Sequence, residues 1–380
     1  MGIYLNPGSK GFQRALNSEI YIDKSNLISY TNSVINTEQC FVCVSRPRRF
    51  GKSITAEMLA SYYSKDIDSA GQFSNLNIAA DDTFKKHLNN YNVIFLNMQG
   101  FLSRTQDIAN MKSLIENYLL RDLIRSYPDI DYFDKNDLIG CLIDVYSYTD
   151  IPFIFIIDEW DCIFREYKYD EDAQKSYLDF LRNLLKGQHY VALAYMTGIL
   201  PIKKYGSHSA LNMFNEFSMT NPGPLASYVG FTETEVQKLC KIYHMDYNEI
   251  RRWYDGYSFD GIPHIYNPRS VVNAMLMRSY DSFWNKTETF EALRDYIALN
   301  YNGLKDTIIE LLAGSRKKIN TNTFTNDMTT FSSADDVLTL LIHLGYLGYD
   351  FKAKEVFIPN SEIASEFCNA ITSVGWDIIA

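Results

Sequence analysis

The chain has 380 residues, 46% of them hydrophobic and 14% aromatic, enough apolar material for two or three packed units, which excludes a disordered or fibrous protein. A net charge of −10 excludes a general electrostatic attraction to nucleic acid or anionic membrane and leaves room only for local contacts with DNA. No apolar run approaches the ~18 residues of a membrane span, and Met1 to Gly11 carries no signal-peptide pattern, so a cytoplasmic protein without a membrane partner is expected.

In chain order, the first informative element is the apolar strand Cys40 to Val44, which runs into Arg46-x4-Gly51-Lys52-Ser53 and then the helical stretch Ile54 to Tyr63. A strand that delivers a loop to the start of a helix aims free backbone N–H groups and the positive end of the helix dipole at one point. Gly51 lets the chain approach a phosphate without a Cβ, Lys52 supplies a mobile charge for the β/γ oxygens, and Ser53 offers a hydroxyl to Mg²⁺. The phosphate-binding segment expected here comprises Arg46, Arg48, Arg49, Phe50, Gly51, Lys52, Ser53 and Ile54, and its ligands are ATP or GTP with Mg²⁺. Arg46 stands where the usual G-x-x-x-x-G-K-[ST] pattern has its first glycine. Arg48 and Arg49 could hold phosphate or a neighbouring subunit's nucleotide, or equally pair with Asp158 or Asp161.

Strand candidates follow at Asn92 to Asn97, Phe153 to Ile157, Val191 to Thr197 and Phe214 to Thr220, separated by helical patterns at Ile108 to Ser126, Asp137 to Tyr148 and Ser176 to Leu185. Near-continuous apolar strands alternating with helices predict a doubly wound parallel α/β sheet covered on both faces. The third strand ends in Asp158-Glu159. An acid at the end of such a strand holds the Mg²⁺ shell and a neighbouring Glu orients or deprotonates the attacking water, so Asp158 is assigned to metal and Glu159 to water. Thr197, at the end of the fourth strand, is read either as a polar sensor of the γ-phosphate or as a strand-end Thr bonded to backbone.

The breaker cluster Asn221-Pro-Gly-Pro224 ends the α/β pattern and divides the chain into 1–224, a helical lid over 225–330, and a small unit over 331–380. Thr232-Glu-Thr-Glu235 opens one helix as a capping box. Asn267-Pro268 opens another, with Arg269 in its first turn as a γ-phosphate candidate or a plain surface arginine. Helix, strand, turn and strand from Val337 to Ile358 predict a winged-helix-like unit. The cysteines read as reduced core residues; His189, His208, His244, His264 and His343 show no metal spacing.

Tyr21-Ile-Asp-Lys24, Ser45-Arg-Pro-Arg-Arg-Phe-Gly-Lys-Ser53, Phe155-Ile-Ile-Asp-Glu-Trp-Asp161, Thr197-Gly-Ile-Leu-Pro201 with Ser209 to Asn212, Tyr254-Asp-Gly-Tyr257 and Tyr266-Asn-Pro-Arg-Ser270 together resemble the successive signatures of the bacterial AAA-ATPase-like family, over about Gly11 to Asn360. The resemblance implies a P-loop ATPase, adenine rather than guanine, and a family loop in which Arg46 is regular. Trp160 stands where Tyr is usual, and Cys162-Ile163 replaces a common Lys-Pro. The nuclease-like module often fused to the family is expected to be absent, and Asp350-Phe-Lys352 reads as a hairpin turn rather than a nuclease half-site. Tyr21, Asp23 and Lys24 precede the first strand, where adenine often rests in related folds.

The expectation is therefore an ATPase that hydrolyses ATP-Mg²⁺ to drive a conformational switch. The alternative is a nucleotide-gated scaffold with little turnover that acts on DNA or a protein partner through its C-terminal region. A nucleotide kinase is disfavoured, since no arginine-rich acceptor lid is evident, and oligomer formation stays open.

Overall fold

A computed structural model of the chain describes residues 2–105, 107–202, 210–259, 261–284, 291–298, 301–325, 328–329 and 331–373; His208 and Ser209 lie outside them. The chain forms two compact units, one comprising Met1–Val44, Lys52–Gly198 and Lys204–Glu216, the other Ser45–Gly51, Ile199–Lys203 and Phe217–Ala380.

The first unit is built on β1 (Phe41–Ser45), β2 (Asn92–Asn97), β3 (Phe153–Asp158), β4 (Val191–Gly198) and β5 (Asn215–Phe217), in spatial order β2-β3-β4-β1-β5. Every position of β3 and β4 is buried, as expected for apolar strands covered on both faces. β2 and β3 pair in parallel from Asn92 opposite Phe153 to Asn97 opposite Asp158, and β3 and β4 pair in parallel up to Ile157 opposite Met196. Among its helices are α1 (Lys52–Tyr63), α2 (Ile108–Ser126), α3 (Leu138–Thr149), α4 (Cys162–Glu166) and α5 (Glu171–Leu185). α5 begins a turn before the predicted Ser176, because Asp170 caps it by accepting the Ala173 N–H at 2.9 Å. β5 is shorter than the predicted Phe214 to Thr220: the Ser218 N–H turns back to the Asn221 carbonyl at 2.9 Å and leaves the sheet.

The region read as a helical lid contains an antiparallel sheet that the sequence reading did not anticipate. Its strands β6 (Phe231–Thr232), β7 (Tyr257–Phe259) and β8 (Ile262–Tyr266) lie in the order β6-β8-β7. Strands of two to five residues, one of them carrying Pro263, show too little alternation to announce themselves. The expected helices are present as α6 (Glu233–Tyr243), with the Thr232–Glu235 capping box formed, and α8 (Pro268–Met277), with α7 (Tyr247–Tyr254) between them. Asn267 caps α8 by accepting the N–H groups of Arg269 and Ser270 at 2.9 and 3.3 Å.

Further on, β9 (Lys317–Lys318), α9 (Ala334–Leu344), β10 (Gly348–Asp350) and β11 (Glu355–Phe357) precede α10 (Ser361–Ser373), and the three strands form a sheet in the order β10-β11-β9. Asp350 accepts the N–H groups of Lys352 and Ala353, each at 3.0 Å, and so closes the hairpin turn. All six cysteines are free thiols, and only Cys368 is exposed. Among the described residues, no helix is long and apolar enough to cross a membrane.

Candidate functional site

The register of the parallel sheet decides what meets at its carboxyl edge. Asn97 at the end of β2 stands opposite Asp158 at the end of β3, and Thr197 follows the Met196 position of β4 that pairs with Ile157. The Asp158 carboxylate, 1% exposed, accepts the Thr197 hydroxyl and the Glu159 N–H (3.1 Å) on one oxygen, and the Asn97 amide (3.5 Å) on the other. Three neighbouring strand ends thus orient one buried carboxylate, in the crevice where open α/β sheets bind ligands.

Beyond Asp158 the chain turns sharply. Glu159 has φ +55°, a left-handed conformation that costs a non-glycine residue about 1 kcal/mol or more, and the Trp160 N–H returns to the Thr197 carbonyl at 3.0 Å. The turn directs Glu159 to Arg165, whose guanidinium lies 2.5 Å from the Glu159 carboxylate and 3.4 Å from that of Asp161. Burial pushes the Glu159 carboxyl above its ordinary range, while Lys52 and Arg165 pull it back. Lys52, the first residue of α1 and 4% exposed, is pushed below its ordinary value by burial, against the attraction of Glu159, Asp158 and Asp161.

Gly198 is required by packing at this turn. A Cβ there would meet the Trp160 indole nitrogen at 2.6 Å and an Asp161 carboxylate oxygen at 2.8 Å, and Trp160 is fully buried. Gly198→Ala is expected to cost about 1–3 kcal/mol, as overpacked cores do, read as a lowered urea midpoint with unchanged m-value. Wild-type stability in that variant would refute the close approach.

Ser53 and Ile54 are exposed in the first turn of α1. The loop before it belongs to the second unit and is held there. Arg46 is fully buried: its guanidinium donates to the carbonyls of Ser45 and Phe217, each at 2.9 Å, and lies 5.0 Å from the Phe259 ring centre. The side chain in the place of the missing glycine thus serves the packing of the second unit. Arg48 is exposed. Arg49, at φ +66°, donates to the Trp284 and Phe283 carbonyls at 2.8 and 3.4 Å. Phe50 is buried edge-on against Tyr257, with ring centres 5.2 Å apart. Gly51 has φ +91° with open space where a Cβ would be, so backbone conformation rather than crowding demands glycine. Arg269 is exposed in the first turn of α8, also in the second unit.

Within the first unit the structure therefore brings together Lys52, Asp158, Glu159 and Thr197. Asp23 is spent on the N–H groups of Ser25 and Asn77, at 2.8 and 2.7 Å. The sequence reading missed Asn97 and Arg165. A polar residue closing an apolar strand was the available signal for Asn97; for Arg165 it was the i,i+4 spacing from Asp161 on α4.

Ser53 and Asp158 carry the hydroxyl and carboxylate oxygens of the kind that a Mg²⁺ ion accompanied by phosphate would take. Among the described residues no group of three or more His, Cys, Asp or Glu forms a metal cage, and an ion bound largely through phosphate and water oxygens needs none. The strand–loop–helix unit and the carboxyl-edge Asp158 define an α/β protein of the P-loop class, built for nucleotide binding of the ATPase type.

The family model for predicted AAA-ATPases matches residues 8–207, and the chain belongs to that family. It is similar to an uncharacterized protein in the vnfD 5′ region of Azotobacter chroococcum mcd 1, at 24% identity over 262 residues, which cover 67% of this chain and 48% of that protein. The chain thus spans about half the length of the curated relative it matches. Among solved structures it is similar to a Walker-type ATPase of Pyrococcus abyssi, with TM-score 0.45 and 11% identity over 91% of this chain and 94% of that one. It is also similar to the ORC2 protein of Aeropyrum pernix, with TM-score 0.36 and 12% identity over 96% and 98%.

Proposed function

We propose that the chain binds ATP with Mg²⁺ and hydrolyses it to drive a conformational switch. The observation that carries the reading is the buried Asp158, held by Asn97 and Thr197 at adjoining strand ends and electrostatically coupled to Lys52 at the start of α1. Lys52 binds the β/γ oxygens, and the first N–H groups of α1 face the same charge. Ser53 and Asp158 would hold the metal, which would spread the charge developing on the phosphoryl group. Glu159 positions the attacking water and accepts its proton. Thr197 fixes Asp158 and adjoins the γ-phosphate position, and Arg48 and Arg269 are further phosphate candidates on exposed side chains.

The nucleotide-gated scaffold stays as a second reading because of one contact. Arg165 engages one oxygen of Glu159 at 2.5 Å, and a nearby cation favours the charged carboxylate and so makes it a weaker base toward water. Phosphate release from ATP with Mg²⁺, beside equilibrium nucleotide binding, with and without duplex DNA, separates the two. Binding with turnover supports the ATPase; binding without turnover under either condition supports the scaffold, acting on DNA or a protein through the helix–hairpin region. Absence of binding refutes both.

A further inference from the structure

The loop that leads into Lys52 is fastened within the second unit by a relay that ends on a buried acid. The relay begins at Arg49, which donates to the carbonyls of Phe283 and Trp284. The N–H groups of the same two residues donate to one oxygen of Glu362, at 2.7 and 2.9 Å. The Phe283–Trp284 peptide group therefore accepts from Arg49 on one side and donates to Glu362 on the other. Hydrogen bonds chained through one peptide group polarise each other. Glu362, 1% exposed in the first turn of α10, also accepts the Ser270 hydroxyl from α8 at 3.1 Å.

We propose that Glu362 is a positioning residue for the phosphate loop, so that the C-terminal helix α10 sets, through the Phe283–Trp284 peptide and Arg49, how well the loop binds nucleotide phosphate. The inference rests on the phosphate-binding reading of that loop. No other described role uses Glu362, although a carboxylate with only neutral donors about it is costly to bury. Burial pushes its carboxyl up to about 7, against the hydrogen bonds from Ser270, Phe283 and Trp284. With all three donors on one oxygen, the other can carry a proton, and Gln at this position retains the acceptor in nearly the same shape. The anchoring of segment 281–284 is reinforced by the Tyr254 hydroxyl, which donates to the Asp281 carbonyl at 3.0 Å and accepts the Asp281 N–H at 3.1 Å.

The test compares binding of a non-hydrolysable ATP analogue with Mg²⁺ by wild type, E362Q, E362L, R49Q and the double variant R49Q/E362L, well below each melting temperature. E362L and R49Q are each expected to weaken binding about tenfold, E362Q to stay within about twofold of wild type, and the double variant to lose about tenfold rather than the hundredfold of independent sites. Multiplicative losses would mean that Arg49 meets the nucleotide without Glu362, and would overturn the inference. So would unchanged affinity in E362L, which is the result for a residue that only stabilises the fold. Hydrogen exchange on the wild-type chain gives a measure independent of how E362L folds. The analogue is expected to slow exchange at the Phe283 and Trp284 amides about tenfold, and no change there overturns the inference. If wild type does not bind the analogue at all, the phosphate-binding reading fails and this inference with it; if it binds and E362L binds equally, only the inference fails.

Discussion

Glu159→Gln is expected to lower phosphate release by about 10²–10⁴-fold, the usual contribution of a positioned general base, while nucleotide affinity changes by less than about threefold. Gln cannot accept the proton of the attacking water, yet it fills nearly the same space at the φ +55° turn. The substitution also removes the charge that Arg165 faces at 2.5 Å, but Arg165 keeps Asp161 at 3.4 Å, so the buried guanidinium retains a carboxylate and the fold is expected to survive. Single-turnover rates measured beside equilibrium binding separate chemistry from affinity. A variant that still turns over within threefold of wild type would remove Glu159 from the reaction. In that event Glu159 is a structural partner of Arg165, and the water must be held by another group at the strand edge.

Lys52→Ala is expected to act twice. Nucleotide affinity should fall by about 10²-fold or more, since truncating one member of a buried, hydrogen-bonded charge pair costs about 2–5 kcal/mol. Stability of the nucleotide-free chain should fall as well. Lys52 lies among Asp158, Glu159 and Asp161, and without it Arg165 remains against three carboxylates; breaking a buried ion pair typically costs about 3–5 kcal/mol. Burial already pushes Lys52 below its ordinary value, so part of that cost is absorbed in the wild type. Lys52→Arg is the discriminating companion. It keeps the charge and most of the stability but places a larger planar group at the start of α1, and it should still lose affinity. If Lys52→Ala binds nucleotide as tightly as wild type, the phosphate-loop assignment fails whatever happens to its melting temperature.

The parts of this protein legible along the chain are those in which local pattern and burial agree. β2 and α2 run from Asn92 to Asn97 and from Ile108 to Ser126, as their periodicity predicted, because fully covered strands and long amphipathic helices need little from distant residues to declare their type. The caps at Thr232 and Asn267 were equally readable, since a capping side chain satisfies N–H groups within three residues of itself. That Lys52 and Ser53 open a helix and Asp158 ends a strand was legible too, because the apolar strand and helix patterns on either side mark those boundaries.

Tertiary structure alone decided who those residues face. That Asn97 and Thr197 hold Asp158 follows from the register of three parallel strands about fifty residues apart in sequence, and register is a property of the assembled sheet. That Glu159 meets Arg165 depends on a left-handed turn that no propensity favours for Glu. The short strands β6, β7 and β8 exist because they pair with one another rather than because of their own sequences. Arg46 and Arg49, read as phosphate-binding candidates from their place in the loop, donate to carbonyls at 217 and at 283–284, and Glu362 joins that network from a helix some three hundred residues further along the chain. Contacts at such separation form only when folding closes the loops between them, and their outcome is set by shape and by hydrogen-bond demand in the packed interior rather than by any pattern in the neighbouring sequence.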